Sequence, residues 1–138
     1  METGLYSYLI SKTAITDLVA TRIYPLIAPE GAAYPFMIYQ RISTQHEHNM
    51  AGSSGLAAAT VQLDAYADTY SEAKSIGNAI RTALDGYRGS MGGVFVSRCH
   101  IGDERDLLDI TNVADEFGSF RWSADFEIVY HESIPTFS

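Results

Sequence analysis

Four short stretches of this chain carry residue types capable of chemistry. His46-Glu47-His48 sets two imidazoles around a carboxylate, and Cys99-His100 puts a thiol beside a base. Gly102 to Asp109 gathers acids, and Gly52-Ser53-Ser54-Gly55 has the small residues of a phosphate cradle. Each falls short of what its chemistry needs. A structural zinc site takes four ligands, usually with thiolates or further histidines, and no partner set stands at a matching spacing from His46 and His48. Cys99 and His100 are neighbours in a stretch that reads as a strand, where adjacent side chains point to opposite faces, whereas a nucleophile and its base must meet. Cys99 shares its face with Phe95 and Ile101, which suits a small buried hydrophobe. The acids lack the alternation, central glycine and distant Glu of a calcium loop. As a hydrolytic pair they would need burial to raise one pKa, and this polar stretch implies none. The Gly-Ser run lacks the Lys-Ser/Thr of a phosphate loop and leads into a strand instead of a helix N-terminus. There is no nucleophile elbow, dinucleotide fingerprint or metalloprotease motif. The expectation is a protein with no catalytic residue, no metal and no cofactor.

The elements that would carry these stretches follow from patterning. Leu5, Tyr8, Leu9, Ile15, Leu18 and Val19 recur at three- and four-residue spacing, the apolar stripe of one N-terminal helix or two short ones. Ser11-Lys12-Thr13 interrupts it, and Pro25 disfavours further helix. Pro29-Glu30-Gly31 reads as a turn. Residues 36–43 read as a strand, and so do 56–67, where Val61, Leu63 and Ala65 oppose Thr60, Gln62, Asp64 and Tyr66. Residues 44–55 between them read as a long polar loop. Thr69 and Glu72 form the capping box of a helix over 70–85, with the apolar stripe Ala73, Ile76, Ile80, Leu84 and with Gly86 just past its end. Residues 89–93 read as a loop, 94–101 as a strand, and 102–119 as an acidic, irregular stretch. Residues 120–131 alternate most cleanly. Phe120, Trp122, Ala124, Phe126, Ile128 and Tyr130 share one face, opposite Arg121, Ser123, Asp125, Glu127 and His131.

One face buried and one mostly wet is the mark of an antiparallel sheet. The order α–β–β–β–α–β–β, without repeats or linker, predicts a single α+β domain over residues 1–138 with helices on one face of a mostly antiparallel sheet. Phe120, Trp122, Phe126 and Ile128 are expected to pack against Ile76, Ile80 and Leu84.

Composition narrows the function. The chain has 138 residues, 46% hydrophobic and 19% charged, as in a globular protein with one core. No apolar run approaches the ~18 residues of a membrane span. The start Met1-Glu2-Thr3-Gly4 lacks the basic and apolar regions of a signal peptide, so the cytoplasm is the expected folding compartment. The lone Cys99 agrees with reducing conditions. Net charge is −8 with nine scattered Lys and Arg, which argues against phosphate-neutralising nucleic-acid binding. Long polar stretches without a catalytic constellation are best used to bind other protein chains. His46, Glu47, His48, Asn49, Met50, Ser53 and Ser54 are the candidates. On composition alone a cytoplasmic adaptor module without catalytic activity fits equally well.

Further segments carry a resemblance. Thr21-Arg22-Ile23-Tyr24-Pro25 with Ala28-Pro29-Glu30-Gly31 precedes Pro35-Phe36-Met37-Ile38-Tyr39-Gln40-Arg41-Ile42-Ser43. Then come Val61-Gln62-Leu63-Asp64-Ala65-Tyr66-Ala67, Tyr70-Ser71-Glu72-Ala73 with Ala83-Leu84-Asp85-Gly86, Asp103-Glu104-Arg105-Asp106, and the closing strand to Tyr130-His131. In this order, from about residue 5 to 132, the chain resembles the tail completion (tail terminator, or head-to-tail joining) proteins of siphophage-like particles and gene transfer agents. The resemblance implies a structural virion protein of the tail and neck, made in the host bacterial cytoplasm, and a hexameric ring. That ring would end the tail tube on one side and meet the head connector, or stopper, on the other, with DNA passing through unbound. It implies no catalytic residues and no membrane. An acidic lining would let DNA pass without adhering, with Asp103, Glu104 and Asp106 as its candidates.

Overall fold

The computed structural model describes residues 2–49, 52–109 and 119–131. The N-terminal stripe forms two helices, α1 (Glu2–Ile10) and α2 (Thr13–Val19). They part where the polar triplet interrupts the stripe: the Ser11 hydroxyl donates to the Tyr8 carbonyl at 2.6 Å, competing with helix continuation. Leu5, Leu9, Ile15 and Val19 are fully buried. Three strands follow, β1 (Ile23–Pro25), β2 (Phe36–Asn49) and β3 (Gly52–Ala67), then α3 (Tyr70–Leu84). The chain ends in β4 (Gly89–Met91), β5 (Val94–Asp109) and β6 (Ser119–His131). Thr69 caps α3, its hydroxyl accepting from the Glu72 amide at 3.2 Å, and Gly86 follows at φ 81°, a backbone conformation that favours glycine.

The sheet has six strands in the order β1-β2-β3-β6-β5-β4. All neighbours run antiparallel except β1 and β2, which run parallel. The sheet is therefore mixed, and the expected order lacked β4 and left α1 and α2 undivided.

Three expected loops change on inspection. Residues 44–55 are not a loop: β2 runs to Asn49 and β3 starts at Gly52, with His48 opposite Ser53 and Asn49 opposite Gly52. Residues 89–91 form β4 against Val94–Val96. Residues 102–109 continue β5, with Glu104 opposite Ala124 and Asp106 opposite Trp122. Gly, Ser and acids disfavour strands locally, but strand propensity is dominated by what lies alongside, and a regular neighbour overrides it. The rest of the acidic stretch, including Asp115 and Glu116, lies outside the described residues, as do Met50 and Ala51.

One hydrophobic core lies between the three helices and a single face of the sheet. Val61, Leu63 and Ala65 of β3 and Trp122, Phe126 and Ile128 of β6 meet Ile76, Ile80 and Leu84 of α3 there. Phe120, at the end of β6, is only partly buried against this core. A Cβ on Gly77 would fall 2.5 Å from the Trp122 ring, so α3 rests its backbone on the indole.

Candidate assembly surfaces

The acids of β5 are held by their neighbours. Glu104 accepts from the buried Trp122 indole Nε1 at 2.7 Å and faces the Arg81 guanidinium of α3 at 3.7 Å. Asp106 pairs with Lys74 of α3 at 3.2 Å, a hydrogen bond that raises the Lys74 pKa above its ordinary value. Both carboxylates therefore meet the helix layer. Asp103 is exposed and sits in a register shift, where Gly102 and Asp103 intervene between Ile101 and Glu104.

The other face of the sheet carries no helix, yet Asp64 and Ser123 are buried on it. Three guanidinium–carboxylate pairs cross the strands: Arg121 to Asp64 at 3.2 Å, Arg105 to Asp125 at 3.3 Å, and Arg98 to Glu127 at 3.0 Å. The Gln62 amide donates to Asp64 at 3.1 Å and to Ser123 Oγ at 3.3 Å, tying the first two pairs together. Arg121 also lies over the Tyr66 ring, which stacks on Phe36 with centroids 5.0 Å apart. Each of these arginines already has its anion, so the face presents little unbalanced positive charge to a polyanion. Sequence reading put Gln62 and Asp64 on one side of 56–67 and Arg121, Ser123, Asp125 and Glu127 on one side of 120–131, but left Arg105 in an irregular stretch and missed the pairs. The only signal was opposite charges recurring on the polar sides of three strands.

The sheet has two unlike ends. At one end the last described pair of β6 is His131 with Leu56, and β3 continues past it through residues 52–55 in the β2–β3 hairpin. At the other end β5 and β6 begin their pairing at Asp109 and Ser119, close to where Ala67 meets Phe120. The two hairpins thus point in opposite directions. His46, Glu47, His48 and Asn49 lie on the outgoing strand of the first and Ser53 and Ser54 on its return; their side chains are outside the described set. An apolar patch that sequence reading also missed flanks this hairpin's outer strand: Leu26 is 67%, Ile27 78% and Ile42 50% exposed. Leu26 is held at φ 65° by a hydrogen bond from its amide to the Tyr39 carbonyl at 3.0 Å. A non-glycine residue in that region is strained, and the strand beside it holds it there.

Cys99 and His100 do turn to opposite faces. Cys99 is buried, and burial, helped by the Asp85 charge, pushes its thiol up to about 12. Thiolate is the reactive form, so this thiol is inert near neutral pH. Burial, with Tyr87 and Cys99 adding to it, also pushes Tyr8 up to about 12, and its hydroxyl donates to the Ala83 carbonyl at 2.6 Å. In the unfolded chain the two groups ionise near 9 and 10. Between those values and pH 12 the unfolded chain binds fewer protons than the folded one. Their contribution to stability is therefore complete below about pH 9 and lost as pH rises. Denaturant titrations from pH 8 to 11 should show that decline, with a later onset in Cys99→Ala. A flat profile would contradict the burial of both groups.

A single sheet with one helix-covered face, paired charges on the other and open strand edges describes a structural subunit better than a reaction site. This fold occurs in a solved virion: a chain from the structure described as "Virion of native gene transfer agent (GTA) particle" superposes with a TM-score of 0.73 at 15% identity, over 92% of this chain and 91% of that one. A second solved chain, carrying no functional description, superposes with a TM-score of 0.58 at 12% identity, over 98% of this chain and 95% of that one. No curated protein matches the sequence. The family profile of tail completion protein gp17 matches residues 3–131, and the chain belongs to that family. It is accordingly a structural component of a phage-type tail, located in the virion.

Proposed function

We propose that this chain assembles as a ring, six copies in the resemblance drawn above, that ends the tail tube and joins it to the head connector in the neck. The observation that carries this reading is the pair of oppositely directed hairpins. A joint between two different neighbours needs two separate contact surfaces on one subunit, and the β2–β3 and β5–β6 hairpins supply them at opposite ends of one rigid sheet. A ring further needs a heterologous interface that closes on rotation. The test is to make particles without the chain and then restore it. Tails of uncontrolled length, unattached to filled heads, are expected in its absence. Tails of normal length joined to heads would overturn the reading.

In this ring DNA passes without being held, and acids facing the channel repel it over a Debye length of roughly 8 Å. Of Asp103, Glu104 and Asp106, Asp103 is the one kept as a candidate for that lining, since the other two turn to the helix layer. Because Glu104 and Asp106 are tied to Trp122, Arg81 and Lys74, Asp103 is the one whose charge can be reversed without disturbing the core. Asp103→Lys should slow DNA release from assembled particles, more so at low salt, while the ring still forms. Unchanged release at every salt concentration would remove Asp103 from the lining.

A further inference from the structure

Both sides of the sheet are unfinished. The outermost strands β1 and β4 are three residues long and cover only parts of their neighbours. β1 pairs β2 at Met37–Tyr39, so among the described residues no strand lies along the outer edge of β2 from Ile42 to Asn49. β4 pairs β5 at Val94–Val96, and the turn after α3 covers β5 as far as Ile101: the Gly86 amide donates to the Cys99 carbonyl at 2.7 Å, and Asp85 accepts from the Ile101 amide at 3.1 Å. Beyond it, among the described residues, no strand lies along the outer edge of β5 from Gly102 to Asp109. Exposed strand edges of this length are templates for pairing with another chain.

The two edges fit each other in four respects. They are of equal extent. Passing from β2 through β3 and β6 to β5, each step is antiparallel, so the β5 of one copy and the β2 of the next, repeated around an axis, also meet antiparallel. Their surroundings suit a buried contact: β5 brings the exposed Asp103, and the exposed apolar Leu26, Ile27 and Ile42 flank the β2 side.

The fourth respect is position. Glu104 lies level with Tyr39, through Ala124 and Leu63, so the open part of β5 faces the stretch that β1 covers. The next copy must slide along the strands for open edge to meet open edge. An odd slide would swap the faces of the sheet; slides of about four or six residues, roughly 13–20 Å, bring the nearer parts of the two open edges together. Closing a sheet into a barrel demands such a slide. Four strands about 4.8 Å apart, tilted by 35–45°, climb roughly 13–19 Å per subunit. The direction agrees as well. With the right-handed twist of sheets and a right-handed β3–α3–β5 crossover, the climb runs the required way when the helices face outward.

We infer that consecutive copies of this chain join edge to edge, β5 residues 102–107 of one against β2 residues 42–47 of the next, making one continuous sheet around the ring with the arginine–carboxylate face inward. This rests on the ring reading above, and the test separates the two. Ser43→Cys is combined in one chain with Arg105→Cys (a slide of four) or Leu107→Cys (a slide of six), and the assembled tails are oxidised. Cys99, buried with its thiol raised, stays silent. One of the two pairs should give a ladder of covalently linked copies, while either single variant, and Ser43→Cys with Asp106→Cys on the opposite face, should give none. Hydrogen exchange on the unaltered protein supplies a second measurement. The outward-pointing, alternate amides of 42–46 and 102–106 should exchange freely in the isolated subunit and at least about tenfold more slowly in assembled tails. Rings that form without either cross-link and without that protection would overturn edge pairing and leave the ring standing. Particles containing no ring of this chain would overturn both.

Discussion

Trp122→Ala is expected to lower the melting temperature by about 10–20 °C, the equivalent of about 3–5 kcal/mol for a chain of this size. The indole is fully buried in the middle of β6. Gly77 lets the backbone of α3 lie directly on its ring, and its Nε1 donates to Glu104. Truncation leaves a cavity that neither the sheet nor the helix can close. The stranded Glu104 can rehydrate, so the cavity dominates the loss. The same contact makes a counterintuitive prediction for Gly77→Ala. Alanine favours a helix interior over glycine by about 1 kcal/mol, yet the added methyl would press on Cγ, Cδ2 and Cε2 of the indole, the rigid centre of the ring. The variant should therefore be less stable than the parent. Thermal melting by circular dichroism checks both, and an unchanged midpoint in either would mean that α3 is not seated on β6.

The second large effect separates folding from assembly. Replacing residues 47–54 with a tight Gly-containing turn should leave the melting temperature within ~2 °C, since surface changes away from the core usually stay within about 0.5 kcal/mol. Beyond the Leu56–His131 pair only β2 and β3 lie side by side among the described residues, and a two-stranded ribbon adds little independent stability. Particle production should nonetheless stop at separate heads and tails, as counted by electron microscopy, because one of the two contact ends is gone. A normal yield of joined particles would remove the β2–β3 hairpin from the joint.

What the sequence disclosed was whatever depends on near neighbours. The faces of 61–65 and 120–131, the capping box at Thr69, the end of α3 at Gly86 and the break at Ser11 all follow from spacing within one segment, and the structure has them where spacing put them. Strand extent was not local in this sense. Residues 44–49 and 102–109 are strands because regular partners lie alongside, and their own composition argued for loops. The assembly surfaces were hidden for the same reason. Pairing Asp64 with Arg121 takes the β3–β6 register, and Glu104 looked like a free acid until Trp122 and Arg81 were seen beside it.

The opposed hairpins also have a mechanical meaning. In the joint proposed above, a subunit held at both ends would be loaded along its length. Within the sheet, force passed from the β2–β3 hairpin to the β5–β6 hairpin crosses the β3–β6 ladder, whose register runs unbroken from Leu56–His131 to Ala67–Phe120. The pull is along the strands, while ladder hydrogen bonds lie across them. Every bond of the central ladder is loaded together, and none can be opened one at a time from an end. The subunit is thus arranged as a tension member, strongest in shear along the direction that joins its two contact ends.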